Sequence, residues 1–471
     1  MKYEYSDEVV LIRCRNRSFN YSLPHQPDSD QNETLGTGFW LEFKGKMWLI
    51  TCFHVIDEAF HITIEHPKTG SERTSCKLWF GCPLLDLAVL RIEEEGSGTT
   101  SHNALRPLVK KGASSKTIPG PPIGATTLAI GYPLGQTHIK ITKGVLSGQQ
   151  NNFYQTDAPI NMGNSGGPLM WDDRVIGVNA RVSSSANDVG YAIPIHQLLN
   201  LLSADVNKNP IVAFPRSWGL LYNPPSDLSK KGVDIISILP NQLFSSSACT
   251  PGDRWVAVDG HPINNLGELS IRWLNQKLTI ANYLCHLPIG KKVSITILRG
   301  GRNIQDHIMI TTESPRIRFR ELFNEIEAIP YVYFVGLVMI PLCVNFWEKR
   351  GQFLKKIARR RVEDPILQET VDMDDIDISR CVDPTQWGVG RVVVTNVMRG
   401  SRLEANHIFR IGDIVASINS CPIHSIDDVR RVISSSPPHK TTIVMMSGRR
   451  AEFPSSLIEQ EEKKLRRIYQ Y

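Results

Sequence analysis

The chain has 471 residues, too many for one hydrophobic core, and length alone suggests about three domains. With 41% hydrophobic and 21% charged residues it has the composition of an ordinary globular protein, and a net charge of +6 over that length demands no nucleic-acid partner. No run of about 18 apolar residues occurs, which argues against a membrane-spanning helix.

The first residues, Met-Lys-Tyr-Glu-Tyr-Ser-Asp-Glu, carry early acids and no apolar stretch, so they do not read as a secretory signal. The nine cysteines are odd in number, scattered and without a Cys-x-x-Cys pair, a pattern of free thiols and not of a disulfide framework or zinc site. Together these features predict an intracellular protein, cytoplasmic or nuclear. No metal and no cofactor is expected.

Residues 9–12 read as a first strand, and 13–34, rich in Asn, Asp, Ser and Pro, as a loop. Short apolar runs then alternate with turn residues at 39–43, 47–51, 61–64, 77–80, 87–92, 127–130, 144–147, 153–156, 168–170 and 175–179. Many short strands with few helical patterns predict an all-β sandwich or barrel, closed by a short helix over 195–204.

Residues 155–169 read Gln-Thr-Asp-Ala-Pro-Ile-Asn-Met-Gly-Asn-Ser-Gly-Gly-Pro-Leu. Gly163, Gly166 and Gly167 give this turn freedom in φ, so the backbone N–H groups of Gly163 and Ser165, on either side of Asn164, can point into one concavity. Such a concavity holds the oxyanion of an acyl-transfer intermediate. A serine hydroxyl is a poor nucleophile without a base and an orienting carboxylate. Upstream, His54 ends a strand-like run and Asp86 opens Asp-Leu-Ala-Val-Leu. The chain order His, Asp, Ser is that of the chymotrypsin-type double barrel. Cys52, two residues before His54, reads as a small core residue. Taken singly, a tight turn, a core histidine and a capping aspartate account for these residues; their joint occurrence in this order favours the chemical reading.

The sequence resembles the HtrA (Deg) serine endopeptidases. The resemblance is carried by Gly36-Thr37-Gly38-Phe39, by Thr51 to Ile56, by Asp86 to Leu90, and by Ala129-Ile130-Gly131-Tyr132-Pro133-Leu134-Gly135. The turn around Ser165 and Gly190-Tyr191-Ala192-Ile193-Pro194 complete it. It implies a mainly β fold, a chymotrypsin-like double β-barrel followed by two PDZ domains. Residues 1–205 would be the protease domain, 210–313 the first PDZ domain and 314–329 a linker. Residues 330–455 would be the second PDZ domain with an inserted charged segment, and 456–471 a charged tail. In the first PDZ-like segment Trp218-Gly219-Leu220-Leu221 stands where that fold has its carboxylate-binding loop. In the second, Gly336-Leu337-Val338-Met339 does, within an apolar stretch, 331–344, that reads as one buried strand. Gly252-Asp253 and Gly412-Asp413 begin matching hairpins, so the second segment reads as an approximate repeat of the first.

What the resemblance implies for function is ATP-independent peptide-bond hydrolysis by His54, Asp86 and Ser165, in protein quality control or regulated proteolysis. The oxyanion hole would be formed at Gly163, Asn164 and Ser165. The pocket beyond the nucleophile would include Ala180, Arg181 and Val182; no aspartate stands at its base, which favours small or medium aliphatic residues. Gly219, Leu220, Leu221, Gly336, Leu337 and Val338 would bind extended or C-terminal peptides. The family's sensor loop is reduced to residues 148–152, which disfavours a relay through it. Trimers through Tyr3, Tyr5, Phe19 or Tyr21 follow the family's habit. A competing reading is a catalytically silent scaffold or chaperone that binds peptides through its PDZ domains. Residues 345–361, with basic side chains among Phe346, Phe353, Leu354 and Ile357, read as a surface helix, or as a nuclear-import or acidic-partner site.

Overall fold

The computed structural model describes residues 5, 7–26, 31–65, 73–93, 104–106, 121–136, 138–150, 153–182, 189–203, 219–239, 243–271, 276–311, 319–347, 389–435 and 439–471. They divide into two units, one of Met1–Asn16 with Gln31–Pro315 and one of Arg17–Asp30 with Arg316–Tyr471.

In the first unit the alternating apolar runs become strands whose inner faces need cover, and they find it by closing on themselves. β1 (Val9–Arg17), β2 (Gln31–Phe43), β3 (Lys46–Thr51), β4 (Ala59–Glu65), β5 (Arg73–Cys82) and β6 (Leu87–Ile92) form a closed barrel in the order β1-β2-β3-β6-β5-β4. A second closed barrel, β10-β11-β12-β9-β8-β7, comprises β7 (Thr126–Gly131), β8 (Lys140–Gln150), β9 (Phe153–Thr156), β10 (Pro168–Trp171), β11 (Arg174–Val182) and β12 (Gly190–Pro194). Closure leaves no unpaired sheet edge, which fixes register and makes the strand ends rigid mounts for loops. The four-residue helix α1 (Phe53–Ile56) follows β3. The expected closing helix is α2 (Ile195–Ser203), which buries Ile195, Leu198, Leu199, Leu201 and Leu202.

Further along the first unit, β13 (Leu220–Asn223), β14 (Val233–Ile238), β15 (Arg254–Val258), β16 (His261–Pro262), β19 (Lys292–Arg299) and β20 (Arg302–Met309) make one sheet, in which β13 is an edge strand. The hairpin β17 (Glu268–Ile271) and β18 (Gln276–Thr279) and the helix α3 (Ile280–Cys285) complete the module. Its core holds Trp255 and Phe244, with ring centroids 4.9 Å apart and edge to face.

The second unit carries β21 (Val332–Phe334), β22 (Leu337–Pro341) and β23 (Val392–Val397) in one sheet. Beside them are α4 (Arg402–Asn406) and α5 (Ile426–Ser434), and a second sheet of β24 (Val415–Ile418), β25 (Cys421–Pro422), β26 (Lys440–Met445) and β27 (Arg450–Pro454). The two modules repeat one turn closely. In the first, Gly252 (φ +93°) donates to Ile235 O and Ile235 N donates to Asp253 O, both at 2.8 Å, while Arg299 pairs with Asp253 at 2.7 Å. In the second, Gly412 (φ +96°) donates to Val394 O at 2.7 Å, Val394 N donates to Asp413 O at 2.9 Å, and Arg449 pairs with Asp413 at 2.8 Å.

Four expectations are corrected. The 13–34 stretch is not one loop of the protease domain: β1 and β2 extend into it, and its middle, Arg17–Asp30, packs with the second unit, where Arg17 pairs with Glu325 at 2.9 Å. Phe19 and Tyr21 spend their rings inside that unit, on each other and on Phe346, so they are not held out for a trimer contact. Residues 319–329 are no bare linker, since Phe319, Phe323 and Ile329 are buried. The charged tail is the helix α6 (Ser455–Tyr469), seated by Leu465, which is 0% exposed against Val338 and Met398. The acids and bases that made it read as a tail occupy its outer face. The charged segment beyond residue 347 lies outside the described residues.

Candidate active site

The three expected side chains sit on loops at the ends of barrel strands. His54 lies in α1, where β3 ends. Asp86 follows the 3-10 turn Pro83–Leu85 and adopts a left-handed conformation (φ 55°), which a short polar side chain tolerates. The two loops are zipped together: Phe53 N donates to Asp86 O at 3.2 Å and His54 N donates to Asp86 Oδ1 at 2.9 Å. The imidazole Nδ1 stands 2.8 Å from Asp86 Oδ2 and 3.0 Å from Oδ1, so the carboxylate fixes ring orientation and keeps the ring proton on Nδ1. That leaves Nε2 as a lone-pair base. The pair is open to solvent, with side chains 48% and 25% exposed. Asp57, one residue past α1, feels both groups, and burial pushes its carboxyl up.

Ser165 ends the turn before β10 and comes up against the first barrel through its backbone. Its carbonyl accepts from Thr37 N at 2.9 Å, and a Cβ on the next residue, Gly166, would lie 3.0 Å from Cys52 N. The serine hydroxyl donates to Ala180 O at 3.0 Å, and no hydrogen bond joins it to His54. Ala180 is offered by a bulge in β11, where the register to β12 jumps between Asn179 and Arg181.

The turn itself is set by its carbonyls. Gly163 takes φ +96°. Met162 O accepts from Leu134 N at 2.6 Å, Gly163 O from the Thr37 hydroxyl at 2.6 Å, and Asn164 O from Gly167 N at 3.0 Å. In a planar trans peptide the N–H points opposite to the carbonyl. The N–H groups of Gly163 and Ser165 therefore point away from these anchors, and among the described residues neither donates to a protein acceptor. Asn164 N, by contrast, donates to Asn161 O at 3.0 Å, so its N–H is not one of the free donors. Cys52 approaches the same place, but its thiol is buried and donates to Asn179 O at 3.2 Å, in keeping with a core role.

Of the expected pocket residues, Ala180 is at the site; the side chains of Arg181 and Val182 lie outside the described residues. Gly219 (φ +65°) precedes β13, and Leu220 and Leu221 start it, with Leu221 exposed. Gly336, Leu337 and Val338 differ from expectation. The stretch 331–344 is a hairpin, not one strand: Val335 and Gly336 (φ +52° and +83°) form a tight turn, and β21 pairs along β22 with Phe334 opposite Leu337 and Tyr333 opposite Val338. The edge of β22 is thus occupied from within the chain. Val335 N donates to Glu462 Oε1 of α6 at 2.6 Å, so a carboxylate of the chain itself sits on this loop. A two-residue turn in left-handed geometry is hard to read at Val-Gly, because a β-branched residue rarely takes it. Thr37, Tyr132 and Leu134, for which the sequence suggests no role at the site, touch or brace the Ser165 turn, as does Asn179 of the expected pocket strand. The motifs containing Thr37, Tyr132 and Leu134 were legible as family markers only.

Residues 36–178 match the trypsin-like peptidase domain family. Over 335 residues the chain is 27% identical to the putative serine protease HhoA of Synechocystis, covering 64% of this chain and 75% of that protein. It is 26% identical over 441 residues to a probable periplasmic serine endoprotease, DegP-like, of Rickettsia conorii, with 87% and 73% covered. To the periplasmic serine endoprotease DegP of Escherichia coli it is 26% identical over 317 residues, 62% of this chain and 60% of that one. With two closed barrels beneath this loop constellation, the chain is a serine endopeptidase of the trypsin fold. Among such enzymes its similarity is to the DegP-like serine endoproteases.

The relatives correct the intracellular expectation, since two of those named above are periplasmic enzymes. The cysteine argument fails for a physical reason. Cys14, Cys52, Cys76, Cys82, Cys249 and Cys343 are buried in module cores without forming disulfides, so their spacing reports packing and not the redox state of a compartment.

Proposed function

We propose that His54, Asp86 and Ser165 carry the hydrolysis, with the N–H groups of Gly163 and Ser165 as the oxyanion hole. In the resting arrangement the serine hydroxyl is parked on Ala180 O. A substrate strand pairing along β11 takes that carbonyl with its own N–H, and a rotation about χ1 turns the hydroxyl to His54 Nε2. The imidazole removes the proton as Ser165 Oγ attacks the scissile carbonyl, then delivers it to the leaving amine. Asp86 holds the tautomer and stabilises the imidazolium. Water repeats the cycle on the acyl-enzyme. The observation that carries this reading is the 2.8 Å carboxylate–imidazole contact beside a turn with two undonated N–H groups.

Ser165→Ala should abolish cleavage of casein while leaving the melting temperature unchanged, and a fluorophosphonate probe should label the wild-type chain at Ser165. Undiminished turnover by Ser165→Ala would end the assignment. The parked hydroxyl favours one alternative, a protease-like scaffold silent at rest; that reading requires no labelling in the presence of peptide.

We further propose that the two modules after the barrels are PDZ-like and that only the first captures peptides. The free edge of β13 can add an extended strand, with Gly219 at the start of the groove. In the second module β21 holds the equivalent edge through a two-residue connection, an intramolecular partner that a free peptide competes with poorly. Polypeptides presented in this way are the expected substrates. Titration with a peptide ending in an apolar residue should saturate at one site per chain, and a photoreactive version should mark residues near 219–223. Marks on 337–341 would refute the single-site reading.

A further inference from the structure

We propose that Thr37 is the residue that positions the oxyanion hole, an inference resting on the assignment of Ser165 as nucleophile. Thr37 lies on β2, in the opposite barrel from the turn it braces, and is 0% exposed. Its side chain and its main chain hold two carbonyls of that turn, those of Gly163 and Ser165. The hydroxyl donates to Gly163 O at 2.6 Å, and the backbone N–H donates to Ser165 O at 2.9 Å. The hydroxyl proton has no freedom to go elsewhere, because the same oxygen accepts from Tyr132 N at 3.0 Å. Thr37 is itself fixed, its carbonyl accepting from Thr51 Oγ1 at 2.8 Å on the strand that leads to His54.

The turn needs such a brace. A glycine at φ +96° has no side chain to resist rotation of the peptide that follows it. The Gly163–Asn164 peptide is held on both sides, its carbonyl by the Thr37 hydroxyl and its N–H by Asn161 O at 3.0 Å; without the hydroxyl only the second hold remains, and the Gly163 and Ser165 N–H groups on either side of this peptide lose their fixed aim. The preceding peptide is anchored by Leu134 N on Met162 O and the one before Gly166 by Thr37 N, so the Thr37 hydroxyl is the side-chain restraint in this set. The space is cut to fit it. A Cβ on Gly131 would come 2.7 Å from Thr37 Oγ1, and a Cβ on Gly167 would come 3.0 Å from Thr37 Cγ2. Thr37 touches no reacting atom; it acts through the orientation of donors that do.

Thr37→Val keeps the shape and removes the hydroxyl, and Thr37→Ser keeps the hydroxyl and removes the methyl. On a peptide substrate, Thr37→Val should lose roughly 100-fold in kcat with KM within about threefold, the scale of losing one oxyanion donor, while Thr37→Ser stays within about threefold of wild type. Affinity for a peptide aldehyde, which forms a tetrahedral adduct, should fall in parallel with kcat. Should the valine variant not fold, Thr37→Ala carries the same expectation. Equal losses in the serine and valine variants, or wild-type kcat in Thr37→Val, overturn the proposal. A wild-type chain inert to a fluorophosphonate would instead sink the Ser165 assignment, so the two failures are distinct.

Discussion

Asp86→Asn tests what the carboxylate beside His54 does. Asparagine accepts the left-handed backbone at this position, so the loop should keep its shape. The amide can still offer an oxygen to His54 N, now 2.9 Å from Oδ1, but then its NH2 faces Nδ1 at the 2.8 Å position. The ring proton moves to Nε2, and no lone pair is left for Ser165. Two magnitudes separate the possible roles. If Asp86 acted only by attracting the imidazolium, unit charges 2.8 Å apart would be worth about 1.5 kcal/mol under full water screening and about 3 kcal/mol at half that dielectric. The higher values of a dry site do not apply, because the side chains are 48% and 25% exposed. That bounds a purely electrostatic loss at roughly 10-fold to 150-fold. Tautomer control predicts about 10⁴-fold, near 5.4 kcal/mol, carried in kcat. Steady-state hydrolysis of a peptide substrate by matched, folded preparations decides the matter. A loss near 100-fold would reduce Asp86 to an electrostatic role, and a loss below about tenfold would remove it from the mechanism.

Two further outcomes are expected. Gly166→Ala should cost about 3 kcal/mol or more in urea unfolding, because its Cβ would lie 2.2 Å from both Thr37 O and Thr51 Oγ1 at φ +87°; Gly148→Ala, with nothing within 4 Å, should be near neutral. Equal unfolding midpoints for the two variants would contradict the packing described. His196 of α2 and His286 after α3 stack and share a 2.5 Å hydrogen bond, and Asn200 donates to His286 O at 3.0 Å. Desolvation, and for His196 also its neighbour, pushes them down to about 3 and about 4. The unfolded chain takes up these protons near pH 6.5 and the folded chain does not, so the stability is fully present above that pH and is lost as pH falls toward 4. The slope is about 1.4 kcal/mol per pH unit for each histidine. The fall in urea midpoint from pH 7 to pH 5 should shrink in His286→Phe, and an unchanged fall would exclude the pair as its source.

Strand-period apolar runs and Gly/Pro punctuation made the barrels readable, and β6 and β9 have the bounds their patterns suggest. The glycines of the Ser165 turn were equally plain, because positive φ leaves few alternatives. Less legible was whatever depends on a partner distant along the chain. Nothing in residues 17–30 says that they pack with the second unit, and the charged face of α6 concealed the apolar one that seats Leu465.

His54, Asp86 and Ser165 stand out as candidates in the chain itself, since acyl transfer at neutral pH needs a hydroxyl, a base and a carboxylate. Tertiary structure decided the state they are in. It put the serine hydroxyl on Ala180, gave the turn's carbonyls to Thr37 and Leu134, and paired β21 along the edge of β22. Local sequence specifies a residue's chemistry and backbone freedom, whereas the partner of each hydrogen-bonding group is chosen only when strands far apart in the chain are brought into register.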